Sequence, residues 1–133
     1  MSMDGNLAGL KVMIIDDSNT IRRSAEIFLK QSGCTVVLAE DGFDALAKVA
    51  DTQPDVVFCD ILMPRLDGYQ TCAMIKKSPR FKDTPVVMLS SKDGLFDRAR
   101  GRMVGSDQYL TKPFTKESLL KTVSEYARKS VVV

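Results

Sequence analysis

Two adjacent aspartates, Asp16 and Asp17, close the apolar run LKVMII at 10–15. A third, Asp60, closes VVFC at 56–59. Ser90 follows VVML at 86–89, and Lys112 lies just past the short run QYL at 108–110. The runs favour β structure, so these polar groups are expected at the carboxyl ends of strands. In an open parallel sheet, ligands bind beyond those ends. Three carboxylates, a hydroxyl and an ammonium would then converge on one rim. Clustered carboxylates repel one another unless a cation sits among them, and oxygen ligands that leave room for water and phosphate suit Mg²⁺. A carboxylate beside a bound metal, with a lysine to neutralise incoming oxygens, is also a reasonable phosphoryl acceptor. Taken singly, each residue has a plainer explanation. An Asp-Asp pair or Ser90-Ser91 could cap a helix, and Lys112-Pro113 could be an ordinary loop. Their joint placement at successive strand ends is what points to a site.

Composition narrows the chemistry. There is no histidine among the 133 residues. That excludes Ser-His and Cys-His nucleophile pairs, histidine-ligated zinc and a phosphohistidine carrier. Cys34, Cys59 and Cys72 lack CxxC spacing and read as reduced, core-filling residues of a cytoplasmic protein. A net charge of +2 is too small to imply a nucleic-acid partner. The apolar runs fall far short of the roughly 20 residues that a membrane helix needs. Residues 1–9 contain no basic-then-apolar leader. No membrane insertion is expected.

The elements that must hold these groups follow from periodicity. Ile21, Ala25, Phe28 and Leu29 fall at helical spacing, with Gly33 as the stop. A strand is expected at 36–39 and a helix at 43–50, with Phe43, Leu46 and Ala50 on one side. A strand at 56–59 follows Pro54, and a helix at 67–77 ends at Ser78-Pro79. A strand at 86–89 follows Pro85. Leu95, Ala99 and Met103 mark a fourth helix, interrupted by Gly101, before a strand at 108–110. Thr115 is the expected N-cap of a fifth helix that buries Leu119, Leu120, Val123, Tyr126 and Ala127. Met63, Met74, Met88 and Met103 are expected in or near the core. Five βα units predict a flavodoxin-like, doubly wound α/β domain, with a five-stranded parallel sheet of order 2-1-3-4-5 and five helices. The expected boundaries are a flexible N-terminus at 1–9, one domain at 10–129 and a tail at 130–133.

The stretches VMIIDDS at 12–18, DVVFCDILMPRLDG at 55–68, PVVMLSSKD at 85–93 and GSDQYLTKPF at 105–114 resemble response-regulator receiver domains of the CheY type. The resemblance implies that Asp60 is the phosphoacceptor. It further implies that Asp16, Asp17, Asp60 and the backbone carbonyl of Leu62 hold Mg²⁺. Ser90 matches the switch hydroxyl, Tyr109 the switch aromatic and Lys112 the site lysine, with a cis Lys112-Pro113 bond. On phosphorylation, Ser90 would move toward the phosphate and Tyr109 would turn inward from an exposed position. This would remodel the surface of the fourth helix, fifth strand and fifth helix. Leu62 and Lys92 occupy the two places that tune phosphoryl lifetime. Neither can orient water as an amide or carboxylate does, so slow self-dephosphorylation is expected. Arg98, Arg100 and Arg102 form a basic cluster. With Tyr109 and Lys121, Arg98 and Arg102 would offer an acidic partner a complementary surface.

Within the family, the run at 41–72 resembles the small regulators of type IV pilus twitching motility. That implies a CheA-like histidine kinase as phosphoryl donor and a pilus-extension or second-messenger regulator downstream. Two other readings compete. An aspartate-nucleophile phosphatase would need an acid two residues after Asp60, where Leu62 stands. A pseudo-receiver that binds without phosphorylation would not need the full acidic set. The chain is thus expected to be a single-domain phosphoacceptor signalling protein rather than an enzyme. With four residues after the expected domain, a DNA-binding output module is not expected.

Overall fold

The computed structural model describes residues 7–91, 99–100 and 102–131, with side-chain burial as far as Tyr126. Along the chain these form β1 (Lys11–Ile15), α1 (Asn19–Gln31), β2 (Thr35–Ala39), α2 (Gly42–Thr52), β3 (Val56–Asp60) and α3 (Gly68–Lys77). β4 (Val86–Ser90), β5 (Gln108–Thr111) and α4 (Lys116–Val131) complete it. The sheet order is β2-β1-β3-β4-β5, and every pairing is parallel. Of the expected helix before β5, residues 99–100 and 102–103 are helical; Leu95 and Gly101 lie outside the described residues.

The unbroken apolar runs are explained by helices on both faces of the sheet. Met13, Ile15, Val57, Cys59, Val86 and Met88 join a cluster that includes Ala45 and Val49 of α2 and Cys72 and Ile75 of α3. Val12, Ile14, Val56, Phe58, Val87 and Leu89 join Ala25 and Leu29 of α1 and Leu119, Leu120 and Val123 of α4. Alternation along each strand divides the side chains between the two faces, as the pleat requires.

Local signals set the helix ends. Ser18 caps α1 by accepting from the Ile21 amide, and Gly33, at φ +88°, ends it. Asp41 caps α2, while Asp67 and Gln70 form a reciprocal capping box on α3. The Thr115 hydroxyl accepts from the Ser118 amide at 3.0 Å, the cap expected before α4.

Two expectations need correction, and the ends of the domain add two observations. The buried face of α2 is Gly42, Ala45 and Val49, with Leu46 half-buried; Phe43 is 52% exposed and Ala50 is exposed. Small residues win that face because α2 packs closely on α3: a Cβ at Gly42 would lie 2.3 Å from Thr71 Oγ1. Met63 and Met88 are buried, but Met74 and Met103 lie on the surface. The expectation rested on their apolar type, which does not say which side of a helix the sheet covers. Leu7, expected in the flexible segment, is 1% exposed, and its carbonyl accepts from the Leu10 amide. At the other end, α4 runs to Val131, inside the expected tail.

Candidate functional site

The site is built from strand ends. β1 stops at Ile15, and the Asp16 amide makes one further ladder bond, to the Ala39 carbonyl. That fixes Asp16 as a fully buried carboxylate, while Asp17 turns outward. Asp16 Oδ1 accepts from the Ser18 amide at 2.8 Å, and the Arg22 guanidinium donates to the Asp16 carbonyl. Asp60 is the last residue of β3 and only 4% exposed. Beside it, the Lys112 amide donates to the Ser90 carbonyl at 2.6 Å, which carries the pairing of β5 with β4 to the rim. The Lys112-Pro113 bond is cis, as expected.

Side chains then converge. Carboxylate oxygens of Asp16, Asp17 and Asp60 lie within 4.8 Å of one another. The Lys112 ammonium donates to Asp60 Oδ1 at 3.0 Å and to Asp16 Oδ2 at 3.3 Å. Asp17, Asp60, Ile61, Leu62, Ser90, Ser91 and Lys112 line a cleft of about 360 Å³. One wall is unusually tight: a Cβ on Gly68 would lie 2.1 Å from the Asp60 carbonyl oxygen. Only a glycine lets α3 begin directly against the Asp60 backbone.

The electrostatics follow from this crowding. Burial, and then the charge of Asp16, push the Asp60 carboxyl up from 3.8 to about 6; the Lys112 hydrogen bond and charge pull the other way. Burial alone would lower the Lys112 ammonium, but the hydrogen bond to Asp60 and the charges of Asp16 and Asp60 outweigh it, so its pKa is raised. Next door, burial pushes the Cys59 thiol far up and Cys72 to about 11. These are inert protonated thiols, consistent with reduced core residues. An all-oxygen donor set with one carboxylate at the mouth suits a hard divalent cation, and Mg²⁺ fits it.

Of the other expected site residues, Leu62 is 73% exposed, and its amide lies 3.4 Å from Asp60 Oδ1. Ser90 is buried at the cleft. Tyr109 is half-buried against the cluster under α3, rather than exposed as expected. It shares a second cleft, of about 220 Å³, with Arg102, Ser106, Asp107 and Gln108. Lys121 is exposed on α4 and does not line that cleft. Arg98 and Lys92 lie outside the described residues. Arg100, counted in the basic cluster, stacks on the Tyr69 ring at 4.5 Å and is engaged with α3.

Sequence reasoning missed two features. The Arg22 contact has no local signal, since it arises from the angle at which α1 leaves the site. The loop between β3 and α3 is gripped from α2. Arg65, at φ +68°, places Nη2 2.7 Å from Asp41 Oδ2 and its guanidinium 5.4 Å from the Phe43 ring centre. A non-glycine residue in the left-handed region costs roughly 1 kcal/mol. An exposed ion pair returns about 0–1 kcal/mol, so the contact is close to neutral for stability.

This sheet order, with buried acids and a lysine at the switch point, defines a response regulator receiver domain. The chain belongs to that family, whose pattern it matches over residues 12–124. It is 67% identical over 124 residues to Protein PilG of Pseudomonas aeruginosa, covering 93% of this chain and 92% of that protein. It is 35% identical over 121 residues to Response regulator MprA of a Mycobacterium species, covering 91% of this chain but spanning about half (52%) of that protein. Among solved structures, chemotaxis protein CheY4 of Vibrio cholerae matches with a TM-score of 0.87 at 34% identity, covering 90% of this chain and 99% of that one. Receivers are phosphoacceptor signalling domains, and membership implies a histidine kinase partner. No described helix is long and apolar enough to cross a membrane.

Proposed function

We propose that Asp60 takes a phosphoryl group from the phosphohistidine of a CheA-like histidine kinase and thereby switches a partner-binding surface. The observation that carries this is the Lys112 ammonium, bonded to buried Asp60 and Asp16 with Asp17 at the cleft mouth. In the transfer, an Asp60 carboxylate oxygen forms a bond to phosphorus as the phosphorus–nitrogen bond breaks. The electron pair returns to the donor imidazole. Asp16, Asp17, Asp60 and the Leu62 carbonyl would hold Mg²⁺, which when bound neutralises charge on the transferring oxygens. Lys112 adds a second positive group, and the enclosing walls strengthen both effects by limiting water.

The aspartyl phosphate then draws hydrogen bonds from Lys112 and Ser90. Tyr109, on the strand beside Ser90, responds by turning further inward. Arg98, Arg102, Tyr109 and Lys121 present the changed face to an acidic downstream partner, and Leu62 and Lys92 leave the phosphoryl group long-lived. Resemblance to twitching-motility regulators, together with the identity to PilG, supports a role at the type IV pilus. The output would be a pilus-extension or second-messenger regulator, and the location cytoplasmic. Incubation with Mg²⁺ and acetyl phosphate, followed by peptide mapping, tests the reading. Wild type should gain acid-labile phosphate on Asp60 and Asp60→Asn none; equal labelling of the two would refute it.

A further inference from the structure

We propose that Asp41 and Arg65 form a positioning clamp: from α2, they hold the turn that carries Asp60 and Leu62 in its cation-binding shape. Three consecutive residues at the start of α2 grip the loop between β3 and α3. Asp41 Oδ2 takes the Arg65 guanidinium at 2.7 Å, and the Phe43 ring lies under it. Between them, Gly42 leaves room for Leu66, whose Cδ2 would lie 2.7 Å from a Cβ there. Asp41 is already held, because its Oδ1 caps α2 by accepting from the Asp44 amide at 2.7 Å. It offers Arg65 a preorganised oxygen.

The inner side of the loop is tied to the sheet. The Gly68 amide donates to the Ile61 carbonyl at 2.9 Å, and the Leu62 amide approaches Asp60 Oδ1 at 3.4 Å. Between these ties, Leu66 donates to the Pro64 carbonyl at 2.8 Å. The Arg65 contact is therefore the outer anchor of the arch. Its backbone sits at φ +68°, where glycine or asparagine would rest more easily. The side chain holds a conformation that the backbone does not choose. Because the ion pair is exposed and near neutral for stability, its effect belongs in the geometry of the Leu62 turn rather than in the melting temperature.

The inference rests on the proposed reading of the site as a cation-assisted phosphoacceptor, and the test separates the two. Arg65→Gln keeps the aliphatic stem and removes the charge; Asp41→Asn keeps a good N-cap and removes the other charge. Mg²⁺ affinity is measured by calorimetry, and hydrogen exchange at the Leu62 and Leu66 amides by NMR on the metal-free chain. Each variant should bind Mg²⁺ about 3- to 10-fold more weakly and exchange these amides faster by a similar factor. The double variant should be no worse than either single one, because both break one contact. Arg65→Lys, which keeps the charge, should recover most of the affinity. The clamp is overturned if Arg65→Gln leaves affinity and exchange unchanged, or if the two substitutions weaken binding by independent factors. Failure of wild type to take phosphate on Asp60 would sink the phosphoacceptor reading while these two measurements still decide the clamp.

Discussion

Asp60→Asn should make the metal-free protein more stable at neutral pH. Asp60 has its carboxyl raised from 3.8 to about 6 by burial and by Asp16. A group whose pKa is raised on folding contributes its stability below the unfolded value, and that contribution is lost as pH rises through the folded one. The window therefore runs from about pH 4 to about pH 6. Two units correspond to about 3 kcal/mol, with the attraction of Lys112 already included. Asparagine keeps the shape and stays uncharged, so the gain should be about 0.5 kcal/mol at pH 4 and about 3 kcal/mol at pH 7.5. For a domain of this size, 3 kcal/mol is a rise of roughly 10 °C in Tm. Thermal melts of both proteins in EDTA across this range provide the assay, and adding Mg²⁺ should narrow the gap by stabilising wild type alone. If Asp60→Asn melts at or below wild type at pH 7.5 in EDTA, the account of a carboxylate penalised by burial and by Asp16 is wrong.

Gly68→Ala should cost more than about 3 kcal/mol, read from chemical denaturation, because its methyl group would overlap the Asp60 carbonyl oxygen. Leu62→Asn should shorten the half-life of the aspartyl phosphate several-fold by supplying an amide that can orient water; an unchanged decay rate would remove Leu62 from the lifetime argument. Tyr109→Ala should weaken binding of the downstream partner while leaving phosphate uptake on Asp60 intact. Beryllofluoride and that partner should strengthen each other's binding by one common factor, as linkage requires.

The parts of the site that were legible in the sequence are those placed by strand ends. Asp16, Asp17, Asp60, Ser90 and Lys112 each follow an apolar run, and a parallel sheet leaves such residues nowhere to go but one rim. Helix faces were harder to read. On α2, a large apolar residue at Phe43 outweighs Gly42 in any hydrophobic pattern, yet contact with Thr71 and Leu66 selects the glycine. Met74 and Met103 mislead for a related reason: an apolar type says nothing about which neighbour will cover it. Arg65 was invisible because its partners, Asp41 and Phe43, lie 22 to 24 residues away at the start of another helix. Local propensity carries no trace of such long-range contacts.

The arch over residues 61–67 stands on two fixed feet. One is the Ile61 amide on the Leu89 carbonyl, at 3.0 Å; the other is the Gly68 amide on the Ile61 carbonyl, at 2.9 Å. Both belong to the scaffold, while Leu62, Arg65 and Leu66 hang between them. The segment is thus exchangeable in part. Exposed Leu62 and Arg65 can be exchanged there without disturbing the register of any strand, whereas Ile61 and Met63 are tied to the core and Asp67 to the cap of α3. A change of length is different. The feet cannot move apart, so an added residue must bulge outward, over the mouth of the cleft that Asp17, Asp60 and Leu62 line.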